Sequence, residues 1–218
     1  MISIYGIGWI NQSCAGCARL KENTEMNPGF DPHLIARNRS IFKKPVKNSG
    51  RFNNTSILSL CACSLALKDI GGISENCATG IVGTNSNGCL EANMRFFSDY
   101  VQCGRTMARG NLFIYTLPTS PLAETAIYLG IKGPLFYVSS GAKRLSLCIN
   151  TAADTIAESQ ANAMLAVDAD EKGALAFLLG REENVTVDPL FSLAEALSLS
   201  DGFTDSVKDR LPAPFMKS

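Results

Sequence analysis

The chain has 218 residues, 46 % of them hydrophobic and 18 % charged, with 20 basic and 20 acidic side chains. That balance is a globular protein's rather than a disordered chain's, and zero net charge argues against a nucleic-acid binder, whose footprint is a strongly basic domain. The longest apolar runs fall short of the roughly 20 residues that span a bilayer, and "MISIYGIGWI" has neither the basic n-region nor the cleavage site of a signal peptide. The expectation is a cytoplasmic protein without a membrane or nucleic-acid partner.

"ISIYGIGWI" opens as a short strand with a glycine turn. Gly6-Ile7-Gly8 lacks the third glycine of a dinucleotide fingerprint, Asn11 standing in its place, so no cofactor is expected. Among the eight cysteines, Cys14 and Cys17 form a CxxC and Cys61 and Cys63 a CxC. A zinc site wants four ligands, usually two such pairs or a pair with histidines. The one histidine is His33, in a loop-like "DPHL". We therefore expect buried reduced thiols and no metal.

Residues 21–54 are rich in Asn, Pro and Gly and read as an extended loop. Its stretch from Arg37 to Arg51 is basic: Arg37, Arg39, Lys43, Lys44, Lys47 and Arg51 occur there without one acid. From Thr55 to Asp69 the chain is almost wholly apolar, with Thr or Ser to cap it and Gly71-Gly72 to stop it, which predicts a buried helix. "TGIVGTNSNG" is a strand entering a glycine-rich turn, and the next helix carries Leu90, Met94 and Phe97 on one face. A helix from about Pro121 to Leu129 ends at Gly130.

A strand over 135–138, a helix over about 143–159 and strands over 163–170 and 173–180 follow. The last two pair across a short turn. A final helix over 190–201 precedes a polar tail. Helices alternating with buried-type strands indicate an α/β protein with a mixed, mostly parallel sheet.

The run "GPLFYVSSGAKRLSLCINTAADTIAESQANAMLAVDAD" (133–170) resembles the nucleophile region of the β-ketoacyl synthases of the thiolase superfamily. The spacing from Gly133-Pro134 to "NAMLAVDAD" matches without a gap. Upstream, "SLALKDIG", "GIVGTNSNGCLEANMRFFSDY" and "YTLPTSPLAETAIYLGIKGP" are similar to successive family segments, so the resemblance covers roughly residues 1–180. It implies a thiolase-like half-domain with helices on both faces of the sheet. It assigns all 218 residues to one N-terminal ketosynthase-like domain, with a basic loop at 21–54 and a C-terminal helix and tail at 181–218.

The departures carry as much as the matches. Where the family has its nucleophilic cysteine, in a "TACASG"-like run, this chain has Ala142, and a methyl group cannot attack a thioester. Cys148 lies about 9 Å further along the helix and roughly 120° around it, so it cannot take that place. Ser139 and Ser140 precede the elbow without a histidine to act as base. The family's second half, with its two histidines, has no counterpart here.

On a helical wheel Lys143, Ser146, Asn150, Thr151, Asp154, Thr155 and Glu158 share one arc, broken only by Leu147. Leu145, Cys148, Ile149, Ala152, Ala153, Ile156 and Ala157 share the other. One side should meet the sheet and one should meet water or a polar partner.

Three readings follow. The first is a non-condensing ketosynthase homologue comparable to a chain-length factor, partnered by a ketosynthase and an acyl-carrier protein, with Lys43, Lys44, Lys47 and Arg51 drawing in the acidic carrier. Homodimerisation is the habit of thiolase-type proteins. The second is an acyl-thioester hydrolase or transferase using Ser139, Ser140 or a cysteine on the same half-fold. The third is a structural subunit or a decayed remnant of a ketosynthase, and a broken fragment would expose a large apolar patch.

Overall fold

The structure, a computed structural model, describes residues 1–26, 31–74, 77–141 and 143–201. The strands are β1 (Ile2–Asn11), β2 (Cys14–Cys17), β3 (Glu22–Glu25), β4 (Thr79–Thr84), β5 (Leu135–Tyr137), β6 (Ala163–Ala169), β7 (Gly173–Arg181) and β8 (Phe191–Ser192). The helices are α1 (Pro32–Ile35), α2 (Asn54–Lys68), α3 (Leu90–Gln102), α4 (Gly110–Ile114), α5 (Ser120–Leu129), α6 (Arg144–Ala157) and α7 (Leu193–Asp201).

All eight strands form one sheet in the order β3-β2-β1-β7-β6-β4-β5, with β8 also on β1. The sheet is mixed, as expected, but not mostly parallel. Only β4 runs parallel to its neighbours β5 and β6. The β1, β2, β3, β7 and β8 pairings and the β6–β7 hairpin are antiparallel. Short turns link β2 to β3 and β6 to β7, and such turns reverse the chain, whereas parallel pairing needs a crossover.

The two crossovers are the α3–α5 region between β4 and β5, and α6 between β5 and β6. Helices cover both faces. On one, α2 lies on β1, β6 and β7 with α5 and α1 beside it; on the other, α6 lies on β4 and β6 with α7 beside it. Each face has its own apolar core.

Gly6 and Gly8 lie inside β1 rather than in a turn. A Cβ on Gly8 would stand 2.3 Å from the Ala62 carbonyl oxygen, and one on Gly6 equally close to that of Ala66. Bare backbone at these two positions lets α2 settle onto the strand. The helix is buried from Thr55 to Ala66, which is why its sequence is apolar all round. Its cap is Asn53, not Thr or Ser: the Asn53 side chain accepts from Ser56 N at 2.9 Å. Gly71 and Gly72 follow with φ of 78° and 108°, where glycine carries no Cβ penalty.

The stretch 21–54 is not one loop. It contains β3, α1 and a 3-10 turn over Ser49–Arg51, and Phe42, Val46 and Phe52 tie it into the core around α2. The CxxC is β2. Residues three apart in a strand point to opposite faces, so Cys14 joins one core and Cys17 the other.

Leu90, Met94, Phe97 and Val101 line one side of α3, as the periodicity predicts, but that side is exposed. Asp99 is the only buried residue of this 13-residue helix. Its main packing partner is α4, through a tilted Phe96–Phe113 ring pair 5.5 Å apart.

Candidate functional site

The candidate site is the elbow between β5 and α6 with the cavity beside it, at the carboxyl ends of β4 and β6. Ligands in open α/β sheets bind outside such strand ends. Ala142 lies outside the described residues. Ser139 and Ser140 are both exposed.

Tyr137, at the end of β5, donates to Asn85 Oδ1 at 2.9 Å. Burial raises its phenol, the neighbouring Cys89, Asp170 and Asp168 push the same way, and a hydrogen bond with Ser139 opposes them. Ser139 thus meets a neutral phenol, not a base. His33 sits on α1, which packs on α2 and so lies across the sheet from α6.

Cys148 is fully buried. Its thiol donates to Val82 O at 3.3 Å, and burial drives its pKa far upward. Cys61 and Cys63 are buried and raised in the same way, and Cys17 is pushed up to about 12. Such thiols are inert nucleophiles. Among the described residues no group of three or more His, Cys, Asp or Glu side chains is placed to hold a metal ion.

What fills the floor of the elbow is an ion pair that the sequence reading missed. Arg144 opens α6, and its Nε lies 3.2 Å from Asp168 Oδ2 at the end of β6. The side chains are 11 % and 2 % exposed. Asp170 also faces the guanidinium, at 3.8 Å, and accepts from Ser86 N and Oγ at 3.0 and 2.8 Å. One network therefore joins the α6 N-terminus, the end of β6 and the turn into α3. The available signal was "VDADE" at a strand end, opposite a basic residue in the first turn of a helix.

The cavity measures about 520 Å³. Its lining includes polar groups, among them Asn53, Asn85, Ser86, Asp170 and Glu171, and apolar ones such as Leu90, Met94 and Leu117. Glu171 is held above the ordinary carboxylate value by burial and by Glu91, while Thr55 and Asn54 bond its carboxylate. Cys89 lines the same space, where its thiol donates to Thr116 O at 2.7 Å. These groups can hold an amphipathic ligand.

The basic segment stands elsewhere. Lys43, Lys44 and Lys47 are exposed, and Arg51 reaches Glu124 at 3.8 Å. Phe42 meets Tyr128 edge-on at 5.7 Å, and the Tyr128 hydroxyl donates to Lys44 O at 2.8 Å. The segment belongs to the α2 face of the sheet and the elbow to the α6 face, but its end adjoins the cavity: Arg51 pairs with Glu124, which accepts from Tyr115 of the cavity lining at 3.5 Å.

The helical wheel holds for α6 with three exceptions, the first being Ala157, which lies on the apolar arc but is exposed. Lys143, Asn150, Asp154 and Glu158 are exposed, while Leu145, Cys148, Ile149, Ala152, Ala153 and Ile156 are buried. Ser146 and Thr155 are buried on the polar arc. Ser146 lies beneath α7, its hydroxyl 2.8 Å from that of Ser200, and Thr155 bonds back to Thr151 O at 2.7 Å.

The sequence matches no protein-family model and no curated protein sequence. Its structure matches solved ones. It superposes on an ishigamide ketosynthase/chain length factor with a TM-score of 0.64 and 18 % identity, over 87 % of this chain and 64 % of the other. The fold is that of the ketosynthases.

The ketosynthase fold recurs in a type II polyketide-synthase acyl-carrier protein complex with its hexaketide-bound ketosynthase, at a TM-score of 0.62 and 14 % identity, over 84 % and 63 % of the two chains. It recurs again in a ketosynthase complex with its chain length factor from Xenorhabdus doucetiae, at 0.59 and 14 %, over 93 % and 92 %. The chain spans less than two thirds of the first two relatives and nearly all of the third.

Proposed function

We propose that this chain is a non-condensing ketosynthase-fold subunit of acyl-chain assembly, of the fatty-acid or polyketide kind, and that it works by pairing with a condensing ketosynthase. The observation that carries this reading is the chemistry of the elbow. By its resemblance to the ketosynthases the chain has Ala142 at their nucleophile position, Ser139 beside it meets the Tyr137 phenol, and the single histidine is across the sheet. Activation of serine or thiol needs a base within hydrogen-bond reach. The whole chain corresponds, in this reading, to the N-terminal half of a ketosynthase.

A partner subunit needs no nucleophile. The Xenorhabdus doucetiae complex supports this reading, because the chain matched there is of nearly equal length to this one. Lys43, Lys44, Lys47 and Arg51 are the proposed landing site for an acidic acyl-carrier protein, where charge chiefly speeds encounter.

The test is reconstitution with a ketosynthase and an acyl-carrier protein from the same host. The chain alone should form no acyl adduct and no 3-oxoacyl product by mass spectrometry. Added to the ketosynthase, it should co-purify and alter the lengths of the acyl products. Lys43→Glu, Lys44→Glu and Lys47→Glu together should weaken carrier capture, and salt should mimic them. Condensation by the chain alone would overturn the proposal.

A further inference from the structure

The cavity and the basic segment are joined along one face of α5. Pro121, in its first turn, lines the cavity. Glu124 lies on the next turn, where its carboxylate meets Arg51 at 3.8 Å and accepts from the Tyr115 hydroxyl at 3.5 Å. Tyr128, one turn further, donates to Lys44 O at 2.8 Å and accepts from Lys44 N at 3.3 Å. Residues three and four apart share a helix face, so Arg51 and Lys44 meet α5 about 5 and 10 Å along its axis from Pro121. The chain closes the same link from its other side, because Asn53, just after Arg51 in sequence, also lines the cavity.

The lining separates candidate ligands by charge and by hydrogen bonding. Among the described residues it holds the acids Glu91, Asp170 and Glu171 against one base, Lys172. An anion is therefore better held outside, among the cations, than inside. The lining also holds the side-chain amides of Asn53, Asn85 and Asn87. Asn53 spends its oxygen on Ser56 N and Oγ, which leaves its NH2 as the donor it can give a ligand. An alkyl chain filling this space would strip water from such groups and return no hydrogen bond. The fitting ligand is uncharged inside the cavity, carries amides along its length, and keeps an anionic end at Arg51 and Lys44.

We infer that the cavity receives the phosphopantetheine arm of an acyl-carrier protein landed on the basic segment. This rests on the reading of Lys43, Lys44, Lys47 and Arg51 as the carrier's landing site. The arm is a flexible chain of amides and a hydroxyl that ends in the acyl-bearing thiol, and a phosphate joins it to the carrier. With the carrier on the lysines, the phosphate falls to Arg51 and the amide stretch to the polar lining. Landing and arm binding then reinforce each other, since the second contact forms at the effective concentration set by the first. Coenzyme A bears the same arm on a free nucleotide. The row of exposed lysines leading away from the cavity favours the larger anion, the carrier.

The experiment titrates the full chain with the host's acyl-carrier protein in two forms, with the arm attached and without it, read by calorimetry. The arm-bearing form should bind at least tenfold more tightly. Leu117→Trp, which fills the lining from an exposed position, should bring that form down to the affinity of the armless one and leave the melt unchanged. Lys43→Glu with Lys44→Glu should weaken both forms by the same factor. If neither form binds, the carrier reading itself fails. If both bind equally, the carrier lands but its arm stays outside, and only the present inference is overturned. A preference for the arm that survives Leu117→Trp would overturn the choice of cavity. Coenzyme A binding as tightly as the carrier, and indifferent to the lysine changes, would put the free nucleotide in the carrier's place and overturn the inference as well.

Discussion

Asp69 shows how much one buried polar residue organises here. It caps the end of α2, is 1 % exposed, and accepts from Ile7 N at 3.0 Å, Arg19 N at 2.7 Å and Leu20 N at 3.1 Å. One carboxylate thereby ties α2 to β1 and to the chain that follows β2. Burial raises its pKa, and the backbone donors offset part of that. The unfolded group ionises near 3.8 and the folded one at higher pH, so between the two values the native state holds the extra proton. The stability Asp69 contributes is therefore full below 3.8 and lost as pH rises through the folded value. Asp69→Asn should flatten the rise of urea midpoint toward low pH in the range just above 3.8. It should also cost about 1–3 kcal/mol at neutral pH, since its amide N–H would face backbone donors. An unchanged pH slope would place that titration elsewhere, with Glu171 the next acid to test.

Helix α6 was legible in sequence because the two halves of its surface differ in chemistry, and the same pattern marks which side meets the sheet. Its first turn was not legible: a cation at a helix N-terminus is locally unfavourable, and only the tertiary approach of Asp168 and Asp170 explains Arg144. Breaking a buried pair by removing one partner leaves an uncompensated charge. Arg144→Met should therefore lower stability by about 3–5 kcal/mol, read from denaturant unfolding, and Asp168→Asn in that background should recover part of the loss. Equal and additive losses would mean that the two side chains do not act as a pair. Other elements divide along the same line. The α2 helix and the β6–β7 hairpin follow from composition and turn spacing. The β2 strand, a bare CxxC, and α4, a five-residue turn of helix, carry too few residues for any period to register. The apolar stripe of α3 was legible as a stripe, but periodicity reports that a face is apolar and says nothing about what covers it.

At the scale of the molecule, the sheet and the α3–α4 pair differ in how they are held. Strands β6 and β7 are buried along nearly their whole length between two helical layers, so their backbone bonds open only when the fold does. The α3 helix has one buried residue and an apolar side in water, so its opening exposes little that is not exposed already. Local stability follows buried apolar contact, and hydrogen exchange measures it residue by residue. In the isolated chain, amides of residues 92–102 should exchange at least 100-fold faster than those of 164–168 and 175–179. Adding denaturant below the unfolding midpoint should accelerate the strands and barely change α3, because the denaturant dependence tracks the surface exposed on opening. Protection of α3 equal to that of the sheet, with the same denaturant dependence, would mean that α3 opens only with the whole fold, and the free chain would then hold this helix without help from a partner.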